Sequence, residues 1–208
     1  MFESLVTQPP LLYRIFFPEA VWRVKRHGAK VAYLTFDDGP VPEATPRVLE
    51  ILHKYAVRAT FFTVGDNARR YPELLEAVRA EGHSIGNHTM HHLQGRKTSC
   101  RHYLRDVREA NRLLHTTLFR APHGLLSWRQ SKNIARHYNL IMYDVVTRDY
   151  ARRITADEVL DNVRRFTRNG SIIVFHDSLK AADKMLPALP RAIEWLLSQG
   201  YELDVLSV

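Results

Sequence analysis

Short apolar segments alternate with helical patterns along most of the chain, and this alternation is the feature that most limits its fold. Seven segments are short and rich in branched or aromatic residues, which is typical of strands. They cover residues 30–36, 59–64, 84–87, 118–120, 140–145, 171–175 and 202–206. Strands separated by helices favour a parallel sheet, because parallel strands need long crossover connections. The pattern predicts an α/β fold: a closed or nearly closed (β/α) barrel of about seven parallel strands, with a doubly wound open sheet as the alternative.

The segments between these strands carry the start signals of helices. Thr45 stands before Pro46, which favours a helix with Thr45 as its N-cap. Thr155 and Glu158 have the spacing of a capping box at the start of another helix. A last helix is predicted over about residues 187–198, ending before a glycine.

The chain length suits one domain preceded by a short arm. Residues 1–29 come before the first predicted strand and contain several large apolar side chains, so we expect an N-terminal arm that packs on the barrel, with residues 30–208 as the single domain. No run approaches the roughly 20 apolar residues of a membrane helix. Glu3 and Pro9-Pro10 interrupt the pattern of a signal peptide. We therefore expect no membrane insertion and a cytoplasmic location.

The chain is basic, with 30 lysines and arginines against 22 acidic residues and a net charge of +8. Such a balance can indicate a nucleic-acid, anionic-glycan or membrane partner. Runs of charge usually lie on solvated helix faces, however, and no nucleic-acid-binding motif accompanies them here. We expect no nucleic-acid partner. The composition does not indicate the oligomeric state.

Ionisable residues follow five of the predicted strands at the point where each strand ends. They are Asp37-Asp38, the pair His88 and His92, Arg120, Asp149, and His176-Asp177. In α/β barrels the carboxyl ends of the strands lie at one face, and this face carries the chemistry. The sequence therefore predicts a single site at that rim.

His88 and His92 are four residues apart in a histidine-rich segment, which predicts two imidazoles on one face of a helical turn. Two imidazoles and one carboxylate leave a coordination position open, as in catalytic zinc sites. Asp38 is the best third ligand. A single histidine is more often a partly buried packing residue, and His83 and His91 are interpreted in that way.

Asp37 and Asp38 are adjacent, and side chains alternate along a strand. The turn at Gly39 would let both carboxylates approach one site, so that one binds metal and the other acts as a base. The alternative is that Asp-Gly-Pro only forms a turn and has no functional role. Arg120 could keep a catalytic carboxylate charged. His176 and Asp177 follow a predicted buried strand and could also belong to the site. The alternative is that His176 only packs against its neighbours and that Asp177 is the N-cap of the next element.

These motifs resemble, in the same order, those of the polysaccharide deacetylases of carbohydrate esterase family four, the NodB homology domain. The resemblance covers about residues 30–206. It is carried by Thr-Phe-Asp-Asp-Gly-Pro at 35–40, His-Thr-Met-His-His at 88–92, Phe-Arg-Ala-Pro-His-Gly at 119–124, Asp-Tyr at 149–150 and Val-Phe-His-Asp at 174–177. It implies a distorted (β/α) barrel and a metal-dependent hydrolase that removes acetyl groups from the N-acetylated sugars of an oligo- or polysaccharide.

The resemblance also implies which residues hold the metal and which do the acid and base chemistry. One divalent metal ion would be held by Asp38, His88 and His92. Zinc is the first candidate for this ion, with cobalt, nickel and manganese as alternatives. The acid and base groups would be Asp37 as general base, Arg120 orienting it, and His176 as general acid supported by Asp149.

Three further residues are implied to bind substrate. His123 would bind the oxyanion through its backbone N–H, and Tyr150 and Val174 would border the acetyl pocket. These three positions and Ala121 depart from the family's usual tyrosine, tryptophan, leucine and proline. The resemblance therefore defines the substrate less closely than it defines the reaction. A soluble oligosaccharide or glycan precursor fits the predicted cytoplasmic location better than peptidoglycan or chitin does. The alternatives are the same hydrolysis of a non-sugar amide, such as an acetylated polyamine or a cyclic imide, and a non-catalytic basic binding protein, which the complete set of catalytic residues disfavours.

Overall fold

The computed structural model describes residues 7–207, so residues 1–6 of the predicted arm and Val208 lie outside the described part of the chain. Its strands are β1 Val31–Asp37, β2 Thr60–Thr63, β3 Ser84–Asn87, β4 Leu118–Phe119, β5 Asn139–Leu140, β6 Val145–Val146, β7 Ser171–His176 and β8 Glu202–Leu203. Its helices are α1 Leu11–Phe16, α2 Thr45–Lys54, α3 Gly65–Arg70, α4 Pro72–Ala80, α5 Cys100–Leu114, α6 Trp128–Ile134, α7 Ala156–Phe166 and α8 Ala182–Ser198. Short 3₁₀ turns cover Gly95–Lys97 and Pro122–Gly124.

The strands form one parallel sheet in the order β5-β4-β3-β2-β1-β7-β6, and β8 pairs with the start of β1. The sheet curls into a half-barrel with the helices around it, so the predicted parallel (β/α) barrel is confirmed. The strand predicted over residues 140–145 is instead two short strands. Between these two strands the backbone stops pairing with β4 and begins to pair with β7. The N–H of Ile141 donates to the carbonyl of Phe119, that of Met142 to the carbonyl of Val21, and that of Asp144 to the carbonyl of Ile172.

The central strand β1 is buried along its whole length. Its alternate residues point to the two faces of the sheet. On the face toward the helices, Phe36 stacks on Phe61 and Phe175, with ring centroids 5.0 and 5.9 Å apart. These rings belong to a core shared with α2, α7 and α8. Each large side chain fully buried there contributes about 1.5–3 kcal/mol, so this core holds the rim of the barrel in place.

The arm, residues 7–29, lies across the open edge of the curled sheet. Val21 pairs in parallel with Ile141 beyond β5, and Arg23 pairs in antiparallel with Ser171 of β7. Such pairing covers strand edges that would otherwise be exposed. An ionic contact adds to it, because Arg14 donates to the fully buried carboxylate of Asp144 over 2.6 Å.

The three predicted helices are present, but only one of them has the predicted start. Thr155 and Glu158 form the predicted capping box of α7. Helix α2 has Ala44 as its N-cap, because the Thr45 hydroxyl instead accepts from the backbone of Val41 and donates to another side chain. Helix α8 begins at Ala182, since burial of its apolar face outweighs the backbone hydrogen bonds lost at the prolines within it. None of the helices between residues 7 and 207 has the length and apolar content needed to cross a membrane.

Candidate active site

The turn after β1 is held by an aspartate side chain that directly follows the neighbouring strand β7. Asp177, directly after β7, accepts hydrogen bonds from the Gly39 N–H (3.1 Å) and the Thr45 hydroxyl (2.7 Å). A Cβ at position 39 would lie 1.9 Å from a carboxylate oxygen of Asp177, so only glycine fits there. Burial, together with the charge of Asp38, raises the pKa of Asp177 to about 8. The prediction that Asp177 stands with the other ionisable residues at the strand ends holds, whereas the alternative of an N-cap is wrong: Asp177 holds the turn that carries the two aspartates.

The predicted metal ligands lie together at the rim. Oδ1 of Asp38 is 3.0 Å from Nε2 of His92 and 3.6 Å from Nε2 of His88. The three residues offer ligand atoms that all lie within 4.8 Å of one another. Burial acts to raise the pKa of Asp38, but the hydrogen bond from His92 and the positive charge of His176 outweigh it, and the pKa lies well below its usual range. A carboxylate and two imidazoles at this spacing match the ligand set of three-residue catalytic metal sites.

The buried imidazole of His88 has the orientation of a ligand. Its Nδ1 lies 2.9 Å from the carbonyl oxygen of Arg120. A carbonyl can only accept, so Nδ1 carries the proton and Nε2 presents its lone pair toward Asp38. Burial lowers the pKa of His88 to about 4, which keeps the ring neutral near pH 7. A neutral imidazole with a free lone pair is the form that binds a cation.

The conformation predicted for the two histidines is wrong, although the residues are brought together as expected. Residues 88–92 form a loop rather than a helical turn, with φ of 68° at Thr89 and 53° at His92. Asp106 of α5 holds this loop, accepting hydrogen bonds from the N–H groups of Met90 (2.8 Å) and His91 (3.1 Å). Asp106 also binds the ring of His91 at 2.6 Å. Sequence reasoning missed Asp106, for which the only signal is an acid on the apolar face of a helix.

Asp37 is joined to a buried arginine. Nη1 of Arg120 donates to Asp37 Oδ1 over 2.7 Å and to the Thr35 hydroxyl over 2.8 Å. Thr35 and Asp37 share a face of β1, opposite to the core side. The guanidinium also lies 3.9 Å from the ring centroid of Phe62 and donates to the carbonyl of Met142. The arginine therefore fixes the orientation of Asp37, while its own carbonyl orients the imidazole of His88.

His176 and Asp149 form a buried ion pair on the other side of the rim. The two oxygens of Asp149 accept from the backbone N–H of His176 (2.8 Å) and from its Nδ1 (2.7 Å). Burial acts to lower the pKa of His176, but the charge and hydrogen bond of Asp149 raise it to about 9. The imidazole is therefore protonated near pH 7. Tyr150 packs edge-on against it, with ring centroids 4.9 Å apart.

One cavity of about 450 Å³ brings these groups together. Every predicted site residue except Asp149, which lies behind His176, contributes to its lining. The others are Asp37, Asp38, His88, His92, Arg120, His123, Tyr150, Val174 and His176. Tyr143 and Lys180 also line it and were missed, because neither lies in a recognisable motif.

The loop of His123 forms one wall of this cavity. Both His123 (φ 59°) and Gly124 (φ 65°) have left-handed backbone conformations. The ring of His123 lies 4.8 Å from that of His92, and burial lowers the pKa of His123. A Cβ at position 124 would lie 2.6 Å from the hydroxyl of Tyr143, so glycine is required where the loop meets this wall.

Comparisons with known proteins agree with this arrangement. Residues 24–143 match the family model described as polysaccharide deacetylase. A peptidoglycan-N-acetylglucosamine deacetylase of Bacillus cereus is 31% identical, over 89% of this chain and 90% of the relative. A chitooligosaccharide deacetylase of Sinorhizobium fredii is 34% identical, over 84% of this chain and 89% of the relative.

Solved structures agree as well. A crystal structure of a peptidoglycan N-acetylglucosamine deacetylase in complex with 4-naphthalen-1-yl-N-oxidanyl-benzamide superposes with a TM-score of 0.84 and 28% identity. The alignment covers 95% of this chain and 94% of that one. The chain belongs to the polysaccharide deacetylase family, the hydrolases of carbohydrate esterase family four.

Proposed function

We propose that the protein is a metal-dependent deacetylase of the N-acetylated sugars in an oligo- or polysaccharide. One observation carries this proposal: three residues that could hold a metal ion, a carboxylate oriented by an arginine, and a histidine paired with an aspartate all face one cavity. The relatives named for peptidoglycan N-acetylglucosamine and chitooligosaccharides support N-acetylglucosamine units as the substrate.

A second cavity of about 450 Å³ supports a substrate longer than one sugar. It shares Asp38 and His92 with the first cavity and is also lined by Asn67, His91 and Ser178. A glycan chain with its reacting unit at the ligands would have room for a neighbouring unit on this side.

Asp38, His88 and His92 would hold the metal, and zinc is our first choice because a carboxylate and two imidazoles are common ligands of catalytic zinc. Cobalt, nickel and manganese are the alternatives. A bound divalent ion would polarise the acetyl carbonyl and lower the pKa of water at the site. The proposal assigns the remaining steps to the residues of the chain itself.

Asp37 is the general base in this proposal. It directly precedes Asp38, so its carboxylate reaches the same cavity while Arg120 fixes its orientation. It would take the proton of the attacking water. The backbone N–H of His123 would donate to the oxygen that becomes negative in the transition state. Tyr150 and Val174 would border the methyl group of the acetyl.

His176 is the general acid. An amide nitrogen must gain a proton to leave, because an amine anion is a poor leaving group. His176 faces the cavity and carries a proton near pH 7, supported by Asp149. It would donate this proton to the sugar nitrogen, and its proximity to Asp149 stabilises the charged form before donation.

Acetate release is the direct test of the proposed function. We expect acetate from N-acetylated chitooligosaccharides with added zinc, loss of activity after dialysis against a chelator, and recovery when zinc, cobalt, nickel or manganese is restored. Acetylated polyamines and cyclic imides belong in the same panel. Hydrolysis of these alone would replace the glycan with a non-sugar substrate, and no hydrolysis of any amide with every metal present would overturn the proposal.

The pH profile should report the proton on His176. As the pH rises through the pKa of about 9, His176 loses the proton that it donates, so kcat/KM should fall on the alkaline side. A bound cation lowers this pKa, so the limb should appear below pH 9 in the metal-loaded protein. Asp149→Asn removes the charge that opposes burial. The limb should then move to lower pH by about one unit or more, with kcat reduced and metal content retained.

Controls separate this effect from a general loss of charge. Asp157→Asn changes an exposed carboxylate that pairs with Arg191 on the surface, and it should leave the limb in place. His176→Ala should retain metal and abolish the limb. If the alkaline limb is the same in Asp149→Asn and in His176→Ala as in the unmodified protein, His176 is not the proton donor.

A further inference from the structure

The arm reaches the wall of the catalytic cavity. The hydroxyl of Tyr13, on α1, donates a hydrogen bond of 2.7 Å to the carbonyl of Gly124. Gly124 directly follows His123, whose N–H binds the oxyanion in the proposed function. The match to the family model begins at residue 24, so Tyr13 lies before the segment that this family model describes.

The loop that Tyr13 contacts needs support from its surroundings. His123 and Gly124 are consecutive residues with left-handed backbone conformations. This conformation is unfavourable for a residue other than glycine, so that of His123 persists only where the neighbouring structure enforces it. Within the loop, the Gly124 N–H donates to Ala121 (3.0 Å), and the Leu125 N–H donates to Pro122 at 3.4 Å. The Tyr13 hydroxyl adds a third constraint, which comes from outside the loop.

Tyr13 is itself held rigidly. Its ring packs edge-on against Phe17 and Trp22, with ring centroids 5.4 and 5.9 Å apart, and Trp22 packs in turn against Tyr143 of the cavity wall at 6.4 Å. Next to it along the chain, Arg14 binds a buried carboxylate. The aromatic contacts therefore form a continuous packed path from the arm to the cavity.

We propose that Tyr13 is a positioning residue for the deacetylation reaction, holding the 121–124 loop so that the His123 N–H meets the oxyanion of the transition state. This inference rests on the proposed function. Tyr13 does not line the cavity; it acts through the carbonyl of Gly124. The loop's geometry, and with it the strength of the oxyanion contact, thus depends on the arm.

Tyr13→Phe tests the inference, because it keeps the ring and removes only the hydroxyl. One net hydrogen bond corresponds to about a 3- to 10-fold change in rate, so kcat for an N-acetylated chitooligosaccharide should fall by about that factor. An oxyanion contact is made mainly in the transition state, so KM should change by less than about twofold. Metal content and the unfolding temperature should stay close to those of the unmodified protein.

A second substrate separates positioning from a merely structural role. In an N-trifluoroacetyl chitooligosaccharide the fluorines withdraw charge from the oxyanion, so the reaction depends less on donors from the protein. The loss caused by Tyr13→Phe should then be smaller than with the acetyl substrate. Tyr201→Phe is the matched control: its hydroxyl also donates to a backbone carbonyl, that of Thr167, away from the cavity, and its kinetics should not change.

The outcomes distinguish this inference from the proposed function. If the unmodified protein releases no acetate, the proposed function fails. If it is active and Tyr13→Phe has the same kcat, the positioning role is wrong. An equal loss of kcat on the acetyl and trifluoroacetyl substrates, or loss of metal in Tyr13→Phe, would also overturn it, because either result would mean that Tyr13 acts through something other than the oxyanion contact.

Discussion

His92→Ala should lose the divalent ion and, with it, the deacetylase activity. The imidazole of His92 lies 3.0 Å from Asp38 and offers one of the three ligand atoms. Loss of a group that only supports a ligand typically weakens metal binding about 10- to 100-fold, so loss of a ligand itself should exceed that. A bound ion would supply several kcal/mol of transition-state stabilisation, so its loss should lower kcat/KM by about 10³-fold or more. Elemental analysis and initial rates measure the two effects.

The control for this variant is a histidine outside the site. His53 lies on α2 with its side chain 83% exposed, and His53→Ala should keep both metal and activity. If His92→Ala still binds one ion per chain with the affinity of the unmodified protein, the three-residue metal site is wrong. High metal concentration in the assay should restore part of the activity if the remaining two ligands still hold the ion weakly.

Asp37→Asn should keep the metal and lose about 10²–10⁴-fold in kcat, the usual effect of removing a general base. An amide keeps the shape of the carboxylate and an acceptor oxygen for Arg120, but it cannot take a proton from water. The change also leaves the guanidinium as a buried cation without its counter-charge. The variant should therefore unfold at a lower temperature, and its kinetics should be measured well below that temperature.

Asp38→Asn is the matched comparison, because it makes the same chemical change one residue further along the chain. It should lose metal, whereas Asp37→Asn should not. Equal metal content in the two variants would contradict the division of labour between the adjacent aspartates. Lys180 lines the same cavity but has no part in the proposed base chemistry, so it is a suitable position for a control substitution.

Much of the fold could be predicted because its signals are local. Apolar runs such as that of β1 are long enough to be recognised, and the ionisable residues stand directly after strands, where a parallel sheet brings them together. The break between β5 and β6 could not be predicted, because three of the four residues at 141–144 (Ile-Met-Tyr-Asp) are as apolar as those of a strand. Their backbone is divided among three different neighbours that only the tertiary structure defines.

The residues that hold the loops of the site in place were predicted less well than the reacting groups themselves. The spacing of His88 and His92 indicated a helical turn, but their loop is held by Asp106, from a helix that begins after it. Likewise Thr45 looked like a helix cap, although its hydroxyl binds Asp177 from a distant strand. In each case the local preference loses to a buried carboxylate whose partners are distant in sequence, and a single sequence carries no signal for such pairs.

The position of the arm has a consequence for the biosynthesis of the enzyme. Tyr13 and Gly124 are separated by 111 residues, and Arg14 and Asp144 by 130. At about 5–20 residues per second, a ribosome needs roughly 5–25 s to produce these partners after the arm itself has been made. Until these later segments are made, Phe17, which is buried in the folded protein, lacks part of its packing partners and is available to chaperones or to incorrect partners. Translation speed in the middle of the gene would therefore influence how much of the newly made chain reaches the active form.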